Sequence, residues 1–244
     1  MLDGIGERLQ AVTRSFAEVL DLGCFDGSFQ LPGARIARLD PGFGFAHAAG
    51  GVQGDEDRLP FADASFDLVV SAGVLDQVDD LPGALTLIRR VLRPDGLFLG
   101  AFVGAGSLPA LRAAWRIADG DTPAARLHPQ VDVRAAGDLL VRAGFALPVA
   151  DVEPLTVRYP DLGRLIADLR GAAINNVLAA RTPTTRTGIS AATRHFAAAA
   201  DPDGRTTERF FIVYLTGWAP DSSQPRPARR GSGTASLAAA LKPR

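Results

Sequence analysis

Apolar and polar positions follow two alternating periods along the first two thirds of the chain. Ile5, Leu9 and Val12 recur at helical spacing and predict a short amino-terminal helix. Residues 18–23 (EVLDLG) form an apolar run suited to a buried strand, and residues 34–40 (ARIARLD) alternate as a second. Residues 65–71 (SFDLVVS) are apolar and β-branched, as a strand covered on both faces requires. A helix is expected over 81–92, with Pro82 in its first turn, and Pro94-Asp95-Gly96 then turns the chain. The run 96–103 (GLFLGAFV) predicts another buried strand, and 108–118 a helix. A further helix over 135–143 is closed by Gly144. Strands alternating with helices in this way predict an α/β layered sheet with right-handed crossovers.

After a strand over 149–157 the rhythm changes. Residues 161–178 and 189–200 read as helices joined by a loop at 182–187. Residues 207–218 (TERFFIVYLTGW) form the clearest strand signal in the chain. A turn at Asp201-Pro202-Asp203-Gly204 precedes it, so an antiparallel pairing with 149–157 is expected. The organisation predicted is a core over 1–157, a helical insert or lid over 158–206, a last strand over 207–219 that completes the sheet, and a mobile tail over 220–244. The tail is rich in Pro, Ser, Gly and Arg and should be poorly ordered from Ser222 onward.

Composition narrows the function. With 26 basic and 27 acidic residues in 244, the formal charge is −1, and a dedicated nucleic-acid binder needs a basic footprint this chain lacks. Cys24 is the only cysteine, which excludes a disulfide framework and multi-cysteine zinc sites. His47, His128 and His195 are too far apart in sequence to form a helical metal pair, so no metal is expected. No apolar run approaches the ~20 residues of a membrane span. The first residues lack the basic-then-apolar order of a secretion signal, and a cytoplasmic location is expected.

The chemistry is concentrated at strand ends. In VLDLGCFDG (19–27), a strand ending in an acid and followed by glycines lets a ligand approach the backbone at the carboxyl edge of the sheet. A nicotinamide site wants G-x-G-x-x-G. Phe25 stands at the second glycine position and Gly27 comes too early for the third, which disfavours that cofactor. Asp40, at the end of the second strand, can accept both hydroxyls of a ribose. Asp55 and Glu56 precede a later strand, where an acid can accept from an exocyclic adenine amine. Each acid alone is more often a solvated loop charge; three in this order, each at a strand end, form a pattern.

At this point the runs LDLGCFDG, GDEDRLPFADASFDLVVSAGVLDQVDD and ALTLIRRVLRPDGLFLGAF resemble the class I S-adenosylmethionine-dependent methyltransferases. Further segments (GSLPALR, LLVRAGF, VRYPDLGRLIADLRG, the late GW and RPARRGS) resemble a narrower branch, that of the mitochondrial complex I assembly factor 5 (an arginine hydroxylase) and its bacterial relatives. The resemblance implies a doubly wound, Rossmann-like, seven-stranded α/β sheet with an antiparallel last strand and a helical insert. It implies S-adenosylmethionine as cofactor, and a protein substrate or a respiratory complex I subunit as partner. Carried over by motif, Gly23 and Gly27 match the glycines under the methionine part, Asp21 the acid that orients that loop or its ligand, and Asp40 the acid that takes the ribose. Asp55 takes the adenine amine, Glu56 offers its backbone amide to the ring, and the Ser71 carbonyl accepts from the cofactor amine.

Several positions depart from the branch. Phe25 replaces a glycine that makes room for the cofactor, and the spans from Gly27 to Asp40 and from Asp40 to Asp55 are short. In LDQV, Asp76 and Gln77 replace a His and a Trp, while Gly106 and Ala110 stand where relatives carry Asp and Glu. Two readings stay open: a methyltransferase, and a catalytically inactive relative with weakened or lost cofactor binding that acts through a protein partner. For the enzyme reading, Asp76 is a candidate general base and Arg112 a candidate anchor for an acidic substrate group; a solvated loop acid and a surface helix charge are the plainer alternatives. Cys24 reads as a small buried hydrophobe, His128 as a loop residue, and Asn175-Asn176 as a helix end that either caps or faces the site. Phe25 is expected over the mouth of the cofactor pocket, near Asp40 and Ala72.

Overall fold

A computed structural model describes residues 1–174 and 176–225. In chain order the elements are α1 (Leu2–Gln10), β1 (Glu18–Leu22), β2 (Arg35–Asp40), α2 (Phe43–Ala48), β3 (Val52–Gln53), β4 (Phe66–Ala72), α3 (Leu81–Val91) and β5 (Leu92–Val103). They continue with α4 (Pro109–Asp119), α5 (Val133–Arg142), β6 (Ala146–Tyr159), α6 (Leu162–Gly171), α7 (Arg186–Ala198) and β7 (Thr206–Trp218). One sheet of seven strands runs in the order β3-β2-β1-β4-β5-β7-β6. Strands β3 to β5 are mutually parallel, and β7 lies antiparallel between β5 and β6. The seven-stranded sheet with an antiparallel last strand, and the pairing of that strand with the one before it, are therefore as expected.

Period-two alternation divides the core between the two faces of the sheet. Leu68 and Val70 of β4, Leu97 and Leu99 of β5, and Ile212 and Tyr214 of β7 pack with α1, α4, α6 and α7. Val69, Phe98, Val213 and Leu215 point to the opposite face and pack with α3 and α5. Helix α1 is fixed by Arg8, which spans the sheet edge to pair with Asp151 and, at 2.8 Å, with Glu153, while its guanidinium lies 3.6 Å over the Tyr214 ring. That anchorage brings the first residues of the chain over the carboxyl ends of β1 and β4.

Four differences from the sequence reading have a local reason. Strand β5 begins at Leu92, ahead of Pro94-Asp95-Gly96. The expected turn is a bulge instead: Leu92 pairs with Phe66, Leu97 with Leu68, and Asp95 takes a φ of 58° to absorb the extra length. Helix α6 stops at Gly171, where 161–178 was expected to be helical. Ala173 adopts a left-handed φ of 56°, and the amides of Ala173 and Ile174 bond back to Arg170 and Leu169, a Schellman closure without a glycine. Helix α2 occupies a glycine-bearing span that the sequence reading left without a helix. Finally, Ser222–Gln224 are not free: Gln224 donates to Asp95 and to the Ala219 carbonyl, at 3.0 and 2.9 Å. The rest of the expected tail, 226–244, lies outside the described residues, as does Asn175.

Candidate active site

The chain leaving β1 turns sharply across the end of β2, because the Leu39 carbonyl accepts from both Gly23 and Cys24. Gly23 has a φ of 72°, and a side chain there would meet Val74 at 2.5 Å, so the turn requires glycine. Phe25 also takes a left-handed φ, 48°, and its amide donates to Asp40 Oδ2 at 3.0 Å. The Gly42 amide donates to Asp40 Oδ1 at 2.8 Å. Each oxygen of this buried carboxylate is thus fixed by one backbone donor and keeps a lone pair free.

A cavity of about 580 Å³ opens beside Asp40, lined from β1 and β2 by Asp21, Gly23, Cys24, Phe25 and Asp40 and from β4 by Ala72 and Gly73. Met1 and Leu2 of α1, Phe45 of α2 and the corner at Ala172-Ala173 complete it. Asp21 is buried with Oδ2 lacking a hydrogen-bond partner among the described residues; Arg38 Nε stands 3.8 Å away. Burial pushes the Asp21 carboxyl up to about 6, against the pull of Arg38. Phe25 lines this cavity with Asp40 and Ala72 but does not fill it. Its ring lies on Phe45, centroids 4.7 Å apart, and the volume beside it stays open.

Of the seven residues carried over as cofactor contacts, Asp21, Gly23 and Asp40 line the cavity and four do not. Gly27 closes the turn after Cys24 and backs onto Ala49, where a Cβ would come within 3.1 Å. Asp55 is exposed ahead of a 3-10 turn at Glu56–Arg58. Glu56 is buried, and burial raises its carboxyl to about 7. Ser71 is fully buried inside β4.

A second cavity, about 440 Å³, lies beyond the ends of β4 and β5 under α4 and α6. Gln77 is the residue common to both cavities. Its Nε2 donates to the carbonyls of Gly73 and Ala173, both at 3.3 Å, so it ties the end of β4 to the corner after α6. Asp76 lines this second cavity and is not a solvated acid: Oδ1 is buried without a partner among the described residues, and burial pushes the carboxyl up to about 7. Leu108, just before α4, and Leu111 and Trp115 of α4 face the cavity, which leaves Arg112 turned outward, exposed and bonded to Gln130 at 2.9 Å. Arg112 therefore lines neither cavity. His128 has more than a loop role, since its Nε2 accepts from the Val177 amide at 3.0 Å and helps close the second cavity. Asn176 ties the same loops by donating to the Ala125 carbonyl at 3.1 Å.

Sequence reasoning missed Phe45, the α1 residues and the Ala173 corner. Each reaches the site through a tertiary contact that leaves no motif.

Residues 20–100 match the family described as a methyltransferase domain. Over 96% of this chain and 72% of its own length, the human mitochondrial arginine-hydroxylase NDUFAF5 is 34% identical. The chain belongs to the NDUFAF5-like branch of the methyltransferase family. Its Danio rerio relative is 36% identical over 77% of this chain, which spans 60% of that protein. The malonyl-[acyl-carrier protein] O-methyltransferase of Xylella fastidiosa is 30% identical, covering 91% of this chain and 78% of its own. The YcgJ protein of Bacillus subtilis shares the fold at a TM-score of 0.62 and 15% identity, over 91% of this chain and all of that one. No helix among the described residues is long and apolar enough to cross a membrane.

Proposed function

We propose that this NDUFAF5-like chain is an S-adenosylmethionine-dependent methyltransferase, with the cofactor in the first cavity and the acceptor in the second. The observation that carries the reading is Asp40. A buried carboxylate at the end of the second parallel strand, held by one amide on each oxygen and open to the cavity, suits the two hydroxyls of a ribose. When bound, the cofactor supplies an electrophilic methyl group; the chain supplies position. Asp21 faces the amine end with its unpartnered oxygen, and Gly23 lets the backbone come close. Gly27, Asp55, Glu56 and Ser71 support that frame. Asp76, whose proton affinity lies near neutrality, is placed to accept a proton from an acceptor beside Gln77. A cytoplasmic location and a protein substrate, for which a complex I subunit is the branch's model, belong to the same proposal.

A second reading, a binding-only relative, is favoured by Phe25 and by the absence of a helix between β1 and β2, which leaves that flank of the cavity to loop residues Asp26, Ser28 and Phe29. Calorimetric titration separates the two. Micromolar binding of S-adenosylmethionine and of its demethylated product supports the enzyme; no heat at millimolar ligand rejects it in favour of the partner reading.

A further inference from the structure

The charge on the walls of the second cavity is one-sided. Arg126, Arg170 and Arg181 face a single carboxyl, Asp76. Arg126 is already engaged, with Asp119 and with the Thr182 carbonyl. Arg170 and Arg181 are exposed and meet no carboxylate among the described residues. Deeper in, the walls become apolar, with Leu111 and Trp115 of α4 opposite Ile166 and Leu169 of α6. At the inner end, next to Gln77, sits the unpartnered Oδ1 of Asp76. The lining thus combines exposed guanidiniums at Arg170 and Arg181, buried hydrocarbon at Leu111 and Leu169, and one buried, unpartnered carboxylate oxygen at Asp76.

We propose that the second cavity binds an amphipathic organic acid, its acid group held by Arg170 and Arg181 and its apolar body lying between α4 and α6. A planar guanidinium takes carboxylate or phosphate oxygens in a two-pronged geometry, and an arginine without an internal acid is free to do so. The apolar stretch then selects acids with a hydrocarbon or aromatic body over small hydrophilic anions. Asp76 receives whatever hydroxyl or amine the inner end of the ligand carries. The assignment deepens the acceptor role given to this cavity above and rests on that reading, but binding is testable without the cofactor.

Trp115 lines the cavity and reports on it by fluorescence; Trp115→Phe identifies its share of the signal. The full chain is titrated, without nucleoside, with 3-phenylpropanoate, phenethyl phosphate and phenethylamine, three probes of similar body and different charge. Saturable change with either acid, weakened about tenfold or more in Arg170→Gln/Arg181→Gln, is the expected result, and the stronger acid tells carboxylate from phosphate. Amine binding equal to or tighter than both acids overturns the proposal, because Asp76 would then be the anchor. So does the absence of a saturable response to any probe at 10 mM, or acid binding untouched by the double substitution. Both substituted arginines are exposed, so the fold tolerates the change. None of these outcomes depends on S-adenosylmethionine, whose own titration decides the cofactor reading separately.

Discussion

Asp40, on the wall of the first cavity, is fixed by two backbone amides at the end of a parallel strand, whereas Arg170 and Arg181, on the wall of the second, hang on their own flexible stems. The first cavity is walled largely by strand ends and by the turns that leave them, so its polar groups are placed by the main chain. The second is walled by side chains of α4 and α6 and by the loop around His128, so its chemistry changes with single substitutions while the sheet is untouched. On the proposed reading, a constant ligand is taken at the rigid edge and a variable one at exchangeable side chains.

The sharpest way to break this comparison is Asp40→Ala. Loss of a fixed carboxylate acceptor should weaken S-adenosylmethionine more than tenfold, equivalent to ~1.5–3 kcal/mol, and leave acid binding in the second cavity unchanged. An unaltered dissociation constant would remove Asp40 from the site.

The converse substitution is Glu208→Ala. Glu208 of β7 is fully buried and accepts from the amides of Ala110 and Leu111, at 3.2 and 2.8 Å, where α4 has no cap of its own. Its loss strands those two donors and should cost ~1–3 kcal/mol, lowering the thermal midpoint. Because α4 walls the second cavity, acid binding should fall with it and cofactor binding should not. Equal loss of both ligands would show that the cavities are one mechanical unit.

Both regions contain acids that keep their protons longer in the fold than in the unfolded chain. Asp21 rises to about 6, and Glu56 and Asp76 each to about 7, all through burial. Between roughly pH 4 and 7 these three groups hold more protons in the native than in the unfolded state, so the stability they contribute is fully present below their unfolded values and is lost as pH rises through the folded ones. The midpoint at pH 8 should be lower than at pH 5, by roughly 2–4 °C for each kcal/mol lost. Asp76→Asn should flatten the curve from the second-cavity side and Asp21→Asn from the first; a slope unchanged in both variants contradicts these assignments.

The smallest effect expected is that of Phe25→Gly. A fully buried aromatic would cost several kcal/mol, but Phe25 is half-buried, sits at a left-handed φ that glycine prefers, and mainly stacks on Phe45. A loss below about 1.5 kcal/mol in urea unfolding is expected. A larger loss would mean the ring closes the core beneath the first cavity.

The strands could be read directly, because apolar runs such as 65–71 and 207–218 have no other use in a chain of this composition. The positions of Asp21, Gly23 and Asp40 on the first cavity could be read because each lies at or beside the carboxyl end of a strand, where the backbone fixes its direction. Helix α2 could not, since FGFAHA is short and carries glycine, and it is held by contacts with β2 and β3 and by the Phe45 ring on Phe25. The end of α6 could not either, because Ala173 takes a glycine's conformation without being one. Asp76 looked like a loop acid in the sequence; it shares a cavity with residues as distant as Leu108 and Leu169, which no local pattern connects to it.

One consequence concerns the order in which the sheet can be built. Strand β7, the last described, fills the gap between β5 and β6, which have no direct pairing with each other. Until Thr206–Trp218 has been synthesised, β5 ends the parallel sheet with an open edge and β6 lacks its ladder. A nascent chain halted before residue 206 therefore displays an apolar, unpaired strand, the kind of surface that recruits chaperones or aggregates. Closing the gap requires contacts between residues far apart in sequence, which makes it a slow step. A rearranged chain in which the β7 segment is transposed to follow β5 directly, as a hairpin, should close the gap earlier and fold faster, with the same native sheet.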